Sequence, residues 1–302
     1  MNKIIRIGTR ASALALWQAN TLQDLLNAKE IKTELILIKS TGDLDLSQPL
    51  YEMGTTGIFT KTLDTALLNN KIDIAIHSMK DVPTLLAKGI QQGAILERGP
   101  VFDVLVKKTS DSLENDSTIA TGSLRRKAQW LAHNPDHNIV PLRGNIQTRL
   151  NKLEESAWYG AIFAEAALVR LETEQKQIEV LDWMIPAPAQ GALMVVCKSK
   201  DKEIFALLQS LNNVEAALCT QIERDFLRTL EGGCTAPIGA LVKVDGENIH
   251  FKGGVFSLDG KRKFIASETF KIASAKNLGV KIAKTLLLEG ASTLLEEFKP
   301  SE

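Results

Sequence analysis

From Lys3 to Lys198, short apolar runs alternate with stretches whose apolar residues recur at helical spacing. "KIIRIG" reads as a strand, and Leu14, Trp17, Leu22, Leu25 and Leu26 then follow a helical period behind Ser12 as N-cap. "TELILIK" and "KIDIAIHS" are further strands, with the helical "FTKTLDTALLNN" between them. The pattern restarts after "ERGPVFD". "DVLVKK", "STIATG", "HNIVPLRG" and "WYGAIFAE" read as strands, and helices open behind Ser123 and Asn145. Such β–α alternation demands sheets with parallel strands and helices on their faces, so two α/β units are expected. "MIPAPAQG" reads as a connection, and "ALMVVCK" is one more strand, free to return to the first sheet.

The last third changes character. "NNVEAALCTQIERDFLRTL" is a long amphipathic helix. "IGALVKV", "NIHFKGGVFS" and "KFIASETFK" are consecutive strands with turn signals between them, and "SAKNLGVKIAKTLLLEGA" reads as one closing helix. A small α+β domain is expected there.

The 302 residues are 44% hydrophobic, ample for several cores, and the formal net charge is zero. No global field marks a nucleic-acid or membrane binder, so any anion site must come from local clustering. Three cysteines, with no CxxC pair, argue against a disulfide framework and a zinc site and suggest a reducing compartment. No metal is expected. "MNKIIRIGTR" lacks the apolar run of a signal peptide, and no stretch has bilayer length. A cytoplasmic location is the expectation.

Basic residues fall at the strand-to-helix turns. Arg10 and Ser12 share one; Ser123, Arg125 and Arg126 share another. Arg143 and Gly144 follow a strand, and Arg149 lies a turn into the next helix. Strand ends are where open α/β sheets bind ligands. Helix N-termini favour anions, and the arginine fork matches carboxylate or phosphate. Any one of these arginines alone also reads as a surface residue with its stem on the core. The set, recurring at one topological edge, points to a polyanion, carboxylate or phosphate. Neither a P-loop nor a GxGxxG motif is present.

"IDIAIHSMKDVP" sets Lys80 and Asp81 just beyond a buried strand. Asp81 reads either as a turn residue or as a carboxylate aimed at a positive centre or a substrate amine. His77 reads as structural. In "TLEGGCTAPIG", Cys234 sits behind two glycines and ahead of a proline, at a junction rather than inside an element. The small neighbours leave room for a group on sulfur. Cys197 and Cys219 read as small core residues.

"IGTRASALALWQA", "DIAIHSMKDVP", "GSLRRKAQ", "LRGNIQTRL", "PAPAQGA" and "LEGGCTAPIG" together resemble the porphobilinogen deaminase family, in the family's order and over essentially the whole chain. The resemblance implies two α/β domains, similar to periplasmic binding proteins and flanking a cleft, plus the small C-terminal α+β domain. On that basis the boundaries fall at 1–97 with 191–211, at 98–190, and at 212–302. It implies a transferase of haem biosynthesis that condenses four porphobilinogen molecules head to tail into hydroxymethylbilane with release of ammonia. It also implies a dipyrromethane cofactor covalently attached through Cys234, Asp81 as catalytic aspartate, and a monomer. Lys80, Ser12, Thr121, Ser123, Arg125, Arg126 and Gly144 resemble cofactor ligands. Arg10, Lys61, Arg143, Arg149, Arg170 and Gln190 resemble substrate ligands.

Four positions depart from the family pattern. Thr41 and Thr56 stand where basic residues are common, Gly122 replaces a frequent serine, and Ala236 replaces a β-branched residue. Two competing readings use the same arginines. A two-lobed solute binder would carry a secretion signal and no use for Cys234. A nucleic-acid binder would show net positive charge and aromatics beside the arginines.

Overall fold

The computed structural model describes residues 3–39, 60–108, 113–114, 116–173, 177–230 and 236–298. β1 (Ile5–Thr9), α1 (Ala13–Asn27), β2 (Thr33–Leu37), α2 (Lys61–Leu68), β3 (Ile74–Ser78) and β4 (Ile90–Ile95) come first. Next are β5 (Asp103–Lys107), β6 (Thr118–Ala120), α3 (Leu124–His133), β7 (Asn138–Val140), α4 (Ile146–Glu155), β8 (Gly160–Ala164), α5 (Glu165–Arg170) and β9 (Ile178–Leu181). β10 (Leu193–Lys198), α6 (Lys202–Gln209), α7 (Val214–Thr229), β11 (Ile238–Asp245), β12 (Asn248–Phe256), β13 (Lys263–Lys271), α8 (Leu278–Leu286) and α9 (Ser292–Glu296) complete the chain.

Two five-stranded sheets share one plan. The first has the order β2-β1-β3-β10-β4, and the second β7-β6-β8-β5-β9. In each, three parallel strands are followed by one antiparallel strand in fourth place. That fourth strand comes from out of order both times: β10 enters the first sheet and β5 opens the second. The third sheet is the antiparallel meander β11-β12-β13. The chain is thus mixed α/β with a small α+β part.

Two compact units result. One holds described residues 3–99 and 191–217; the other holds 100–190 and 218–298. In the first, Ile5, Ile7, Ile74, Ile76, Val195 and Cys197 pack under Leu22 and Leu26 of α1 and Leu208 of α6. Gly160–Ala164 is buried throughout, because helices cover both faces of the second sheet. In the α+β part, Phe226 of α7 meets Phe251 of β12 edge-on at 5.1 Å. Each buried phenylalanine contributes about 1.5–3 kcal/mol.

A buried carboxylate joins the third sheet to the segment leaving the second. Glu223 of α7 accepts the N–H of Ala189 at 2.6 Å and of Val242 at 2.7 Å. Ala189 holds a left-handed φ of 63°, a strained state for a residue with a Cβ, and this bond helps fix it.

Five elements differ from the sequence reading. β4 and β9 are strands, and α5 and α6 helices, that it leaves out. The closing helix is broken: α8 ends at Leu286, a wide turn spans Leu287–Ala291, and α9 resumes at Ser292. Gly290, at φ 109°, makes the break.

On α2, burial pushes the Asp64 carboxyl up to about 6. The folded state therefore holds this proton more tightly than the unfolded chain. Its contribution favours folding below about pH 4 and is lost as pH rises from about 4 to 6. Asp64→Asn is expected to stabilise the fold by about 1–2 kcal/mol at pH 7.5, and to leave it unchanged near pH 3.5. Thermal melts at the two pH values check this; equal shifts at both refute it.

Candidate active site

In the first unit the site residues gather at the C-terminal edge of the parallel strands. β1 and β3 are parallel neighbours, with Gly8 paired to Ala75. Their ends therefore bring Arg10 and the turn Met79–Asp81 to one edge. Ser12 caps α1 there by accepting the Ala15 N–H. Gln18 donates to the Ser78 hydroxyl at 2.7 Å, which fixes the exit of β3. Lys80 is half-buried and Asp81 is exposed. Lys61 is exposed and opens α2, whose Leu63 packs over Gly8. His77 is buried, and among the described residues its Nε2 has no hydrogen-bond partner. Burial, and then the neighbouring Arg10 charge, pushes its pKa down to about 4. At neutral pH it adds no charge to the edge.

In the second unit the equivalent edge carries the rest. β6 and β7 are parallel neighbours, with Ala120 paired to Val140. Thr121, Ser123 and Arg143 therefore sit at adjacent strand ends. Thr121 accepts the Ser123 N–H with its hydroxyl, and Ser123 caps α3 by accepting the Arg126 N–H. A Cβ on Gly122 would lie 2.5 Å from the Leu142 carbonyl, so this backbone packs too closely to admit serine as it stands. Gly144 has φ 115°, and the sharp turn it allows starts α4 under the cap of Asn145. Arg149 donates its Nε to the Gly144 carbonyl at 2.7 Å. Arg143 holds Nη1 buried with no acceptor among the described residues. Arg170 closes α5, directly after β8, and burial lowers its pKa to about 10, still cationic at neutral pH.

Arg125 and Arg126 are not surface residues: they are 4% and 6% exposed. Both contact Asp103, at 2.7 and 2.8 Å, and Gln190 donates to the same carboxylate at 2.9 Å. The sequence reading missed Asp103. Its signal was a charge directly before the fully apolar run "VLV", where only a paired carboxylate is tolerated. Cys234, with its glycines, and the departures Thr41 and Thr56 lie outside the described residues. Ala236 packs against the core of the third sheet. Among the described residues no three metal-ligating side chains assemble, and no helix is long and apolar enough to cross a membrane.

A cationic strand-end edge with a dense donor set suits a ligand rich in carboxylates, and the comparisons name such a system. The model of the "porphobilinogen deaminase, dipyromethane cofactor binding domain" matches residues 5–206, and that of the "porphobilinogen deaminase, C-terminal domain" matches 217–288. Curated porphobilinogen deaminases are similar over nearly the full length. That of Campylobacter hominis is 41% identical, covering 98% of each chain. The Carboxydothermus hydrogenoformans enzyme is 40% identical over 99% of this chain and 98% of its own. That of Chlorobium phaeobacteroides is 38% identical over 99% of both. Among solved structures, an ancestral cationic amino acid solute binding protein is 14% identical with a TM-score of 0.44, covering 69% of this chain and 87% of its own. The fold assignment stands on the strand order instead. With both domain models and these full-length relatives in agreement, the chain belongs to the porphobilinogen deaminase family, the transferases that condense porphobilinogen into hydroxymethylbilane.

Proposed function

We propose that Asp81 is the catalytic group of this condensation and that Cys234 carries the dipyrromethane as a thioether. The observation that carries the reading is the donor set: Arg143 Nη1 is buried without an acceptor among the described residues, beside the N-terminus of α4. An orphaned donor of this kind costs about 1–3 kcal/mol, which a ligand carboxylate oxygen would relieve. Dipyrromethane and porphobilinogen both carry carboxylates, so the residues present fit the group.

The bound dipyrromethane supplies a nucleophilic pyrrole carbon and a fixed starting point for elongation. Ser12, Lys80, Thr121, Ser123 and the Gly144 backbone hold its polar groups, with Arg125 and Arg126 facing its carboxylates. Arg10, Lys61, Arg143, Arg149 and Arg170 bind the acetate and propionate of incoming porphobilinogen. Gln190, whose amide nitrogen donates to Val101 and Asp103, supports that binding from behind. Asp81 is exposed on a short turn anchored by the Val82 N–H to Met79 carbonyl bond. Its carboxylate accepts the pyrrole N–H, sets its negative charge beside the positive ring left when ammonia departs, and takes up the proton that the attacking pyrrole carbon gives up once the new bond has formed. We further infer a cytoplasmic monomer; the sparse cysteine count, with Cys197 free and buried, supports a reducing compartment.

Intact mass spectrometry tests the function. Protein mixed with porphobilinogen is expected to show a ladder of adducts spaced by one pyrrole unit. A single unshifted mass with and without substrate overturns the reading.

A further inference from the structure

Arg125 and Arg126 stand in the first turn of α3, where the helix dipole already presents positive charge. Both are buried as well, and burial lowers the Arg125 pKa. Two cations are thus placed against both the dipole and the cost of desolvation. Breaking local rules in this way marks a functional constraint.

Asp103 makes the placement tolerable. It is the first residue of β5, fully buried, with Ala164 and Leu181 opposite it on either side. Because β5 runs antiparallel to β8, its beginning lies at the edge where β6 turns into α3. Asp103 Oδ2 accepts Arg125 Nη1 at 2.7 Å. Its Oδ1 accepts Arg126 Nη2 at 2.8 Å, Arg126 Nε at 3.1 Å and Gln190 Nε2 at 2.9 Å. Each guanidinium is pinned a second time by a backbone carbonyl. Arg126 Nη1 donates to Ile162 and Arg125 Nη1 to Ile185, both at 2.8 Å. Arg126 therefore spends all three of its nitrogens inside the protein, whereas Nε and Nη2 of Arg125 enter none of these bonds.

We propose that Asp103 is a positioning residue. It fixes the planes of both guanidiniums and, by setting one negative charge against two positive ones, leaves the pair one anion short, so that the open side of Arg125 takes one carboxylate. This rests on the reading that Arg125 and Arg126 face the cofactor carboxylates. Gln190 belongs to the same device: it orients the Asp103 carboxylate rather than the ligand.

The test uses full-length protein from a host that makes no porphobilinogen, so that the pair is empty. Unfolding midpoints are measured against sodium sulfate, with sodium chloride at matched ionic strength as control. Wild type is expected to gain stability from sulfate beyond the chloride control. Asp103→Asn, two charges short instead of one, is expected to melt roughly 10 °C lower without sulfate and to respond to sulfate more steeply. Asp103→Glu keeps the wild-type sulfate response. If Asp103→Asn does not fold, the double variant Asp103→Asn/Arg126→Gln restores the count and is expected to fold with the wild-type response. On later addition of porphobilinogen, Asp103→Asn acquires pyrrole mass about tenfold more slowly than wild type.

Identical sulfate responses in wild type and Asp103→Asn overturn the proposal, as does a double variant no more stable than the single one. The functional reading fails separately, if wild type itself acquires no pyrrole mass.

Discussion

Asp81→Asn is expected to keep its fold and its cofactor while turnover falls by about two to three orders of magnitude. The side chain is exposed, on a turn whose shape is set by the Met79 carbonyl and the end of β3. An isosteric amide there should move the unfolding midpoint little, since exposed substitutions cost at most about 0.5 kcal/mol. What it removes is the negative charge and the proton acceptor. Binding of the substrate's acetate and propionate belongs to the cations, so KM should change far less than kcat. Single-turnover assays with intact-mass readout check this: the excess mass stays and the adduct ladder grows slowly. A near-normal rate removes Asp81 from the mechanism.

Cys234→Ala is expected to be the more complete loss. Purified from a haem-synthesising host, wild type should weigh more than its sequence by one dipyrromethane, and the variant should not. Without a tether there is no fixed starting point, and activity should fall below about 1% of wild type. The variant should also melt lower, because a ligand bound only to the folded state stabilises it, and here the ligand's carboxylates offset the buried Arg125–Arg126 charge. Excess mass that persists in Cys234→Ala would falsify the attachment.

Much of this architecture was legible in the sequence, for physical reasons. Ser12, Ser123 and Asn145 were readable as caps because a short polar side chain before an apolar-periodic run has one main use, and all three accept the expected backbone N–H. Strands such as "DIAIHS" announced themselves by continuous apolar character. β4 did not, because Gln91, Gln92 and Gly93 interrupt it; its partner β10 supplies the pairing that its own side chains do not advertise. β9 is an edge strand with exposed Ile178 and Val180, a pattern that reads equally as a loop. Local sequence could show that arginines cluster at strand ends. It could not show that two of them are internal, because Asp103 lies twenty-two residues upstream of Arg125. Glu223 was hidden for the same reason: on a helix full of charges, nothing local distinguishes a buried carboxylate from a solvated one.

The borrowed fourth strand of the first sheet has a consequence for how the protein is made. Between β4 and β10 lie about a hundred residues. A ribosome adding roughly 5–20 residues per second needs about 5–20 s to cross that gap. During that interval β3 and β4 have been synthesised, but the strand that separates them has not. β3 is apolar and nearly fully buried in the finished sheet, so the nascent chain carries an unpaired, sticky edge for seconds. Slowing translation between residues 98 and 190 should therefore lower the soluble yield, even though every residue of the finished protein is unchanged.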